Sequence, residues 1–204
     1  MKFRKRWLFI IPALVFAFFA GACTPKPFLK VQYQLPSPSR TLEGEKITFA
    51  VSDMRGKKAF LTESAGKSLK NFNGTFSLVV LREDGSGNLT GVYDIVPLLT
   101  EVFQQRLKNE GIQVAAVADN ARPELKIEIA EFQLDLADRK WVVSMSYRAN
   151  LLENGSLLSK ESVNGEAERL KLTGKSDAEK ILTELLSDMV NKLNLVRLFE
   201  QARQ

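Results

Sequence analysis

The chain has 204 residues, with 29 Lys and Arg against 24 Asp and Glu, a single Cys and no His. The missing imidazole excludes a Ser-His-Asp triad, a Cys-His pair and every His-ligated metal site, and one thiol excludes an intramolecular disulfide. The formal charge of +5 is an N-terminal effect: without Lys2, Arg4, Lys5 and Arg6 the remainder carries 25 basic against 24 acidic groups. A charge of about +1 is too balanced for the concentrated basic footprint of a nucleic-acid-binding surface.

The first element is a leader. The four cations precede an uncharged run of 14 residues, Trp7 to Ala20, and then Gly21-Ala22-Cys23. A positive start, a short apolar stretch and small residues before a cut describe a secretory signal. As a helix the run reaches roughly 21 Å, short of the roughly 30 Å hydrocarbon core, and Pro12 interrupts it. Ala20-Gly21-Ala22-Cys23 resembles the lipobox of bacterial lipoproteins, although Leu is usual where Ala20 stands. The resemblance implies cleavage between Ala22 and Cys23, acylation of the Cys23 thiol and of its new amino group, and a membrane anchor. One acyl chain anchors marginally, and several hold stably. Thr24, in place of an Asp, resembles a signal for release to the outer membrane, so a periplasm-facing position there is favoured over the inner membrane. The alternative is ordinary signal cleavage that leaves Cys23 free.

Residues 23–45 read as a tether, because Pro25, Pro27, Pro36 and Pro38 stiffen and extend it. Within it, Leu29 to Leu35 is a short extended piece that docks at most on the domain edge. Residues 46–204 read as a single domain. Ile47, Phe49 and Val51 alternate with Thr48, Ala50 and Ser52, the period of a strand. Arg55-Gly56-Lys57-Lys58 is a turn, Phe76 to Leu81 a second strand, and Asp84 to Asn88 a loop or hairpin. Asp94 is placed to cap a helix carrying the stripe Leu98, Leu99, Val102, Phe103 and Leu107, ended by Gly111. Ile112 to Val117 follows as a strand.

The strongest β pattern comes next. Leu125, Ile127 and Ile129 alternate, then Phe132, Leu134 and Leu136 on the opposite parity, which implies a bulge near Ala130-Glu131. Trp141 to Leu151 is a long third alternation, and Asn154-Gly155 turns the chain into a return strand over 156–172. Ser176 and Glu179 have the spacing of a capping box ahead of a helix whose stripe runs from Ala178 to Leu193. Asn194 interrupts it, and Leu195, Val196, Leu198 and Phe199 form a short amphipathic tail. The expected fold is α+β: an antiparallel sheet with a mixed edge and two amphipathic helices packed on one face.

From Asp94 onward, the stretches Leu98–Gly111, Glu124–Asp135 and Asp177–Phe199 resemble the corresponding parts of the YajG-type bacterial lipoproteins. They are more distantly similar to the auxiliary lipoproteins of lipid-transporting ABC systems. The resemblance implies a periplasmic α+β domain without catalytic residues.

The residues that invite chemistry have plainer readings. Gly174-Lys175-Ser176 ends like a phosphate-binding loop, but Arg169 stands where that loop needs its first glycine. Gly85, Gly87 and Gly91 lack dinucleotide-fingerprint spacing. Glu131, Asp135 and Asp138 are candidate paired carboxylates for glycan hydrolysis, but Glu131 and Asp135 fall opposite the apolar positions and read as a solvated strand face. Arg55, Lys57 and Lys58 read as a solvated turn, with contact to anionic head groups as the alternative. Leu195, Val196, Leu198 and Phe199 are the candidate partner surface: the tail packs on the domain, the preferred reading, or offers an apolar ridge to another protein. No catalytic, cofactor-binding or metal-ligating set is expected. The sequence therefore reads as a non-enzymatic accessory module anchored through Cys23 and binding an envelope protein. A carrier of lipid or a small apolar ligand is the alternative, and a carboxylate hydrolase is a remote third.

Overall fold

The computed structural model describes residues 27–115 and 122–204. Ala22, Cys23 and the last part of the strand expected through Val117 lie outside them. The first described strand corrects the expected tether. Residues 29–34 form β1 (Leu29–Gln34), whose alternate side chains Leu29, Val31 and Tyr33 are fully buried. It pairs in parallel with β3 (Phe76–Leu81), from Leu29 opposite Phe76 to Gln34 opposite Leu81. Period-2 burial makes a strand whatever prolines flank it. The fold therefore reaches back to this strand, ahead of residue 46.

In chain order the other elements are β2 (Lys46–Asp53), α1 (Glu63–Ser68), β4 (Gly87–Tyr93), α2 (Ile95–Asn109), β5 (Gln113–Val114), β6 (Glu124–Ala137), β7 (Lys140–Glu153), β8 (Ser156–Leu170), α3 (Lys175–Lys192) and α4 (Leu195–Ala202). They make two sheets, one of order β1-β3-β4 and one of order β5-β2-β6-β7-β8. The meander β6-β7-β8 is antiparallel, as expected, while β2 lies parallel to both β5 and β6. The protein is thus α+β with mixed sheets. The expected phase slip appears as a register shift between Ile129 and Glu131. The β7–β8 hairpin turns on Asn154 and Gly155, at φ 51° and 77°. The β6–β7 hairpin uses the same left-handed pair at Asp138 and Arg139, a turn that no glycine advertises. Helix α1 also went unforeseen, being too short for a periodic stripe.

One face of the five-stranded sheet carries Ile127, Phe132, Trp141, Met145 and Tyr147 into the core. Leu182, Leu186 and Met189 of α3, Leu99 and Phe103 of α2, and the inner residues of β1 and β3 complete the same cluster. Gly165 lets α3 close on β8, since a Cβ there would meet Met189 Sδ at 2.5 Å. The buried phenols are satisfied: Tyr33 donates to Asn191 Oδ1 at 2.8 Å and Tyr147 to the Met189 carbonyl at 2.9 Å. Burial pushes both phenols well above their ordinary range.

Two helix starts depart from expectation. Asp94 occupies the N-cap of α2 but makes no side-chain capping bond. The capping box at Ser176 and Glu179 does not form, because Gly174 is the N-cap of α3. Asp177 instead accepts from the amides of Leu172 and Thr173, and Glu179 turns to the strand beside it. The tail packs on the domain, the preferred of its two readings, and is not a partner surface. Asn194 caps α4 by accepting from the Arg197 amide, and Leu195, Leu198 and Phe199 are buried. Ser159 of β8 donates to the Leu198 carbonyl at 2.7 Å, fixing the helix on the sheet. Only Val196 stays half-buried, so no apolar ridge is left for another protein.

Glu179 belongs to a ladder that closes the free edge of β1. The amides of Lys30, Gln32 and Gln34 donate to Glu179 Oε1, Thr183 Oγ1 and Ser187 Oγ at 2.9, 3.1 and 3.1 Å. Asn191 returns a bond to the Gln34 carbonyl at 2.9 Å. Two strand residues advance about 6.6 Å and four helix residues about 6.0 Å, so the two repeats stay in step. An unpaired strand edge invites association with another chain, and here a helix covers it with side-chain acceptors. Thr183→Val, which keeps the volume and removes the acceptor, is expected to lower stability by about 1–2 kcal/mol. Adding Ser187→Ala deepens the loss. Chemical denaturation with an unchanged m-value is the check.

Candidate functional site: an aromatic-floored cleft

The segment between β2 and α1 is pinned along β6: the Leu134 amide donates to the Phe60 carbonyl at 2.7 Å and the Thr62 amide to the Leu134 carbonyl at 3.0 Å. This pinning sets Phe60 at 5.0 Å from both Phe76 and Phe132, ring centre to ring centre, and 5.9 Å from Phe72. Tilted and edge-on pairs at these separations are the favoured aromatic geometry. Phe60 and Phe72, with Leu61, then floor an open cleft of about 580 Å³. Ile95, Val96 and Pro97, from the first turn of α2, form its wall, and Asp53, Arg55 and Lys58 form its rim.

The rim corrects the reading of Arg55 as part of a solvated turn, while Lys57 and Lys58 are exposed as that reading expects. Arg55 is buried and clamps Asp53 with its Nε and Nη2, each at 3.0 Å, while its Nη1 donates to the Phe132 carbonyl at 3.1 Å. Lys58 bonds the Asp53 backbone carbonyl at 2.9 Å, and Lys57 is exposed. The Arg55 hydrogen bonds hold the Asp53 carboxyl well below the usual range. Arg55 is a fixed cation at the edge of an apolar hollow. Its guanidinium is already engaged, so what the cleft offers is its shape and its apolar surface.

The carboxylates considered for hydrolysis do not assemble. Asp135 accepts from Thr62 and from Ser64, and the Thr62 bond is the main cause of its lowered pKa. That is opposite to what a general acid needs. Glu131 stands four residues away along the same strand, about 13 Å by strand rise, beyond the separation of a glycosidase pair. Asp138 sits in the exposed hairpin turn. Among the described residues no three acidic, Cys or His side chains cluster to hold a metal. The layer between sheet and helices, where a carrier would hold its ligand, is filled by Phe103, Trp141, Leu182 and Met189. Lys175, from the rejected phosphate loop, bonds the Phe28 carbonyl at 2.6 Å. Cys23 and Ala22 lie outside the described residues.

The sequence reading missed the cleft, because its walls come from residues 53–61, 72–74 and 94–97. The available signal was Phe60 and Phe72, aromatic residues in segments with no strand or helix period.

No family model matches the chain, and no curated protein matches it. Solved structures do. Protein XCC0632 from Xanthomonas campestris, assigned to family DUF330, is similar with a TM-score of 0.53 at 13% identity, covering 88% of this chain and 100% of that one. This is a shared fold. A minor lipoprotein from Acinetobacter baumannii gives a TM-score of 0.38 at 10% identity, over 76% of this chain and 95% of its own. Rare lipoprotein B from Shewanella oneidensis gives 0.37 at 8% identity, over 77% and 99%.

Arg55→Ala is expected to destabilise the domain, because it leaves Asp53 on the rim without its clamp. Asp53 has a depressed folded pKa. Its contribution is present above the unfolded value of 3.8 and is lost as pH falls through the folded one. The stability gap between wild type and Arg55→Ala should therefore be widest near neutral pH and narrow as pH drops below about 4, as urea titrations at several pH values would read.

Proposed function

We propose that this chain is a lipid-anchored, periplasm-facing accessory module that uses the aromatic-floored cleft to hold an apolar side chain of an envelope protein. The cleft carries the reading: it is preformed, its floor is rigid aromatic surface, and no group in it is poised for acid–base or nucleophilic chemistry. Preformed concave sites with apolar walls and a few fixed polar groups are the usual form of a binding site. The leader and Cys23 support the anchor, Thr24 supports the outer membrane, and the fold shared with the DUF330 protein is compatible with both. The narrower likeness to YajG-type lipoproteins and to lipid-transport accessories remains part of this proposal. A second reading, that the cleft takes the end of a lipid or other small apolar ligand, is favoured by its volume of about 580 Å³, within the span of small-ligand sites.

The Asn73 amide donates to the Pro27 carbonyl at 2.9 Å, so the Phe72 side of the floor lies beside the residues that lead to Cys23. A photoreactive side chain at Ala59, an exposed residue lining the cleft, is expected to capture one discrete protein in intact cells. The same side chain at Asn154 serves as the control. Capture of lipid alone would select the second reading. An Ala59 pattern identical to the Asn154 control would remove the cleft as a binding site.

A further inference from the structure

We infer that the end of the domain formed by Phe28, Leu170 and Leu172, with the cations around them, is a membrane seat that rests on the bilayer holding the anchor. This inference depends on acylation of Cys23, the reading proposed above. Leu172 is 80% exposed and Leu170 56%, side by side where β8 runs into α3. A comparable exposed pair, Leu157 and Leu158, lies beside the Asn154-Gly155 hairpin, so exposure alone does not single out this end; the cations and the tether do.

The surround holds three cations together with Asp138 and the Lys140–Glu168 pair. Lys70 and Arg139 are exposed, and among the described residues neither they nor Lys171 forms an ion pair. The three are held on one end of the molecule: Lys171 donates through Nζ to Ser68 Oγ at 2.7 Å and through its amide to the Arg139 carbonyl at 2.8 Å. Trp141 stiffens the loop from below, donating to the Gly174 carbonyl at 3.0 Å while Lys171 stacks over its ring at 5.7 Å. Projecting leucines ringed by lysine and arginine match an interface with apolar acyl chains beneath anionic phosphates.

The tether decides which end meets that interface. Lys175 Nζ lies 2.6 Å from the Phe28 carbonyl, three residues beyond Leu172. Cys23 and Phe28 are five residues apart in the chain, a span of at most about 18 Å. The Asn154-Gly155 hairpin is at the opposite end of the 14-residue strand β7, about 45 Å away at strand rise. With the acylated cysteine at the bilayer surface, the leucine loop is within reach of lipid and the hairpin is not. The occupant of this face is therefore the phospholipid surface itself.

The test exploits the single cysteine. When Cys23 is acylated, Leu172→Cys and Asn154→Cys each supply one free thiol for an environment-sensitive fluorophore. The full acylated chain is reconstituted in phosphatidylglycerol–phosphatidylethanolamine vesicles, with acylation verified by intact mass. The Leu172→Cys label is expected to shift to the blue and to be quenched at least twofold by lipids carrying a shallow nitroxide. The Asn154→Cys label stays at its aqueous emission. Replacing Lys70 and Arg139 together with Glu should at least halve the quenching. An acylated protein whose Leu172→Cys label behaves like the Asn154→Cys label overturns the seat while leaving the anchor intact. A blue shift without nitroxide quenching assigns the loop to protein contact and also overturns it. An intact mass lacking acyl chains overturns the anchor, and the seat with it.

Discussion

The structure depends on one lateral match: a helix supplying hydrogen-bond acceptors to the edge of a strand. Strand β1 has β3 on one side and would otherwise leave a row of amides bare on the other. Helix α3 meets that row with Glu179, Thr183 and Ser187, spaced four apart, against amides spaced two apart, and Asn191, four residues further, donates to the Gln34 carbonyl. Buried or half-buried backbone groups must be paired somewhere, and the near-equality of the two repeats lets one helix pair several in succession. The same helix turns Leu182, Leu186 and Met189 into the core. One element thus closes an edge and covers a sheet.

That arrangement has a mechanical consequence for an anchored protein. The first strand is the part of the fold next to the proposed anchor, so any pull on the tether is delivered to β1. Its parallel pairing with β3 and its ladder to α3 lie on opposite sides of the strand, so both must shear before it leaves. A tether ending in a loosely docked edge would transmit the same pull to a few side chains. The aromatic cluster around Phe60 begins where this strand begins, because Phe76 is the partner of Leu29. The start of β1, its edge closure and the cleft are therefore neighbours in one part of the fold.

Several readings from the sequence survived because they rest on strictly local physics. The bulge near Ala130, the Asn154-Gly155 turn and the two long apolar stripes are each set by residues close in the chain. The failures share a cause as well. Ser176 and Glu179 have capping-box spacing, yet Glu179 is taken by the amide of Lys30, 149 residues away. Arg55 sits in a string of cations that looks solvated, yet its guanidinium is claimed by Asp53 and by the Phe132 carbonyl. The polar spacing of α3, Glu179-Thr183-Ser187-Asn191, reads as an ordinary hydrophilic face until a strand is laid along it.

By itself the sequence determined the single cysteine, the absence of imidazole chemistry and the α+β order of elements, since each follows from composition or from a short period along the chain. Only the tertiary structure decided that residues 29–34 are a core strand, that the C-terminal tail is buried, and that Phe60 and Phe72 meet the start of α2 to form a cleft. The reason is one of range: turns, bulges and stripes answer to neighbours a few residues away. The pairing of an edge strand or the convergence of aromatic rings is settled by partners tens to more than a hundred residues distant, which no local pattern encodes.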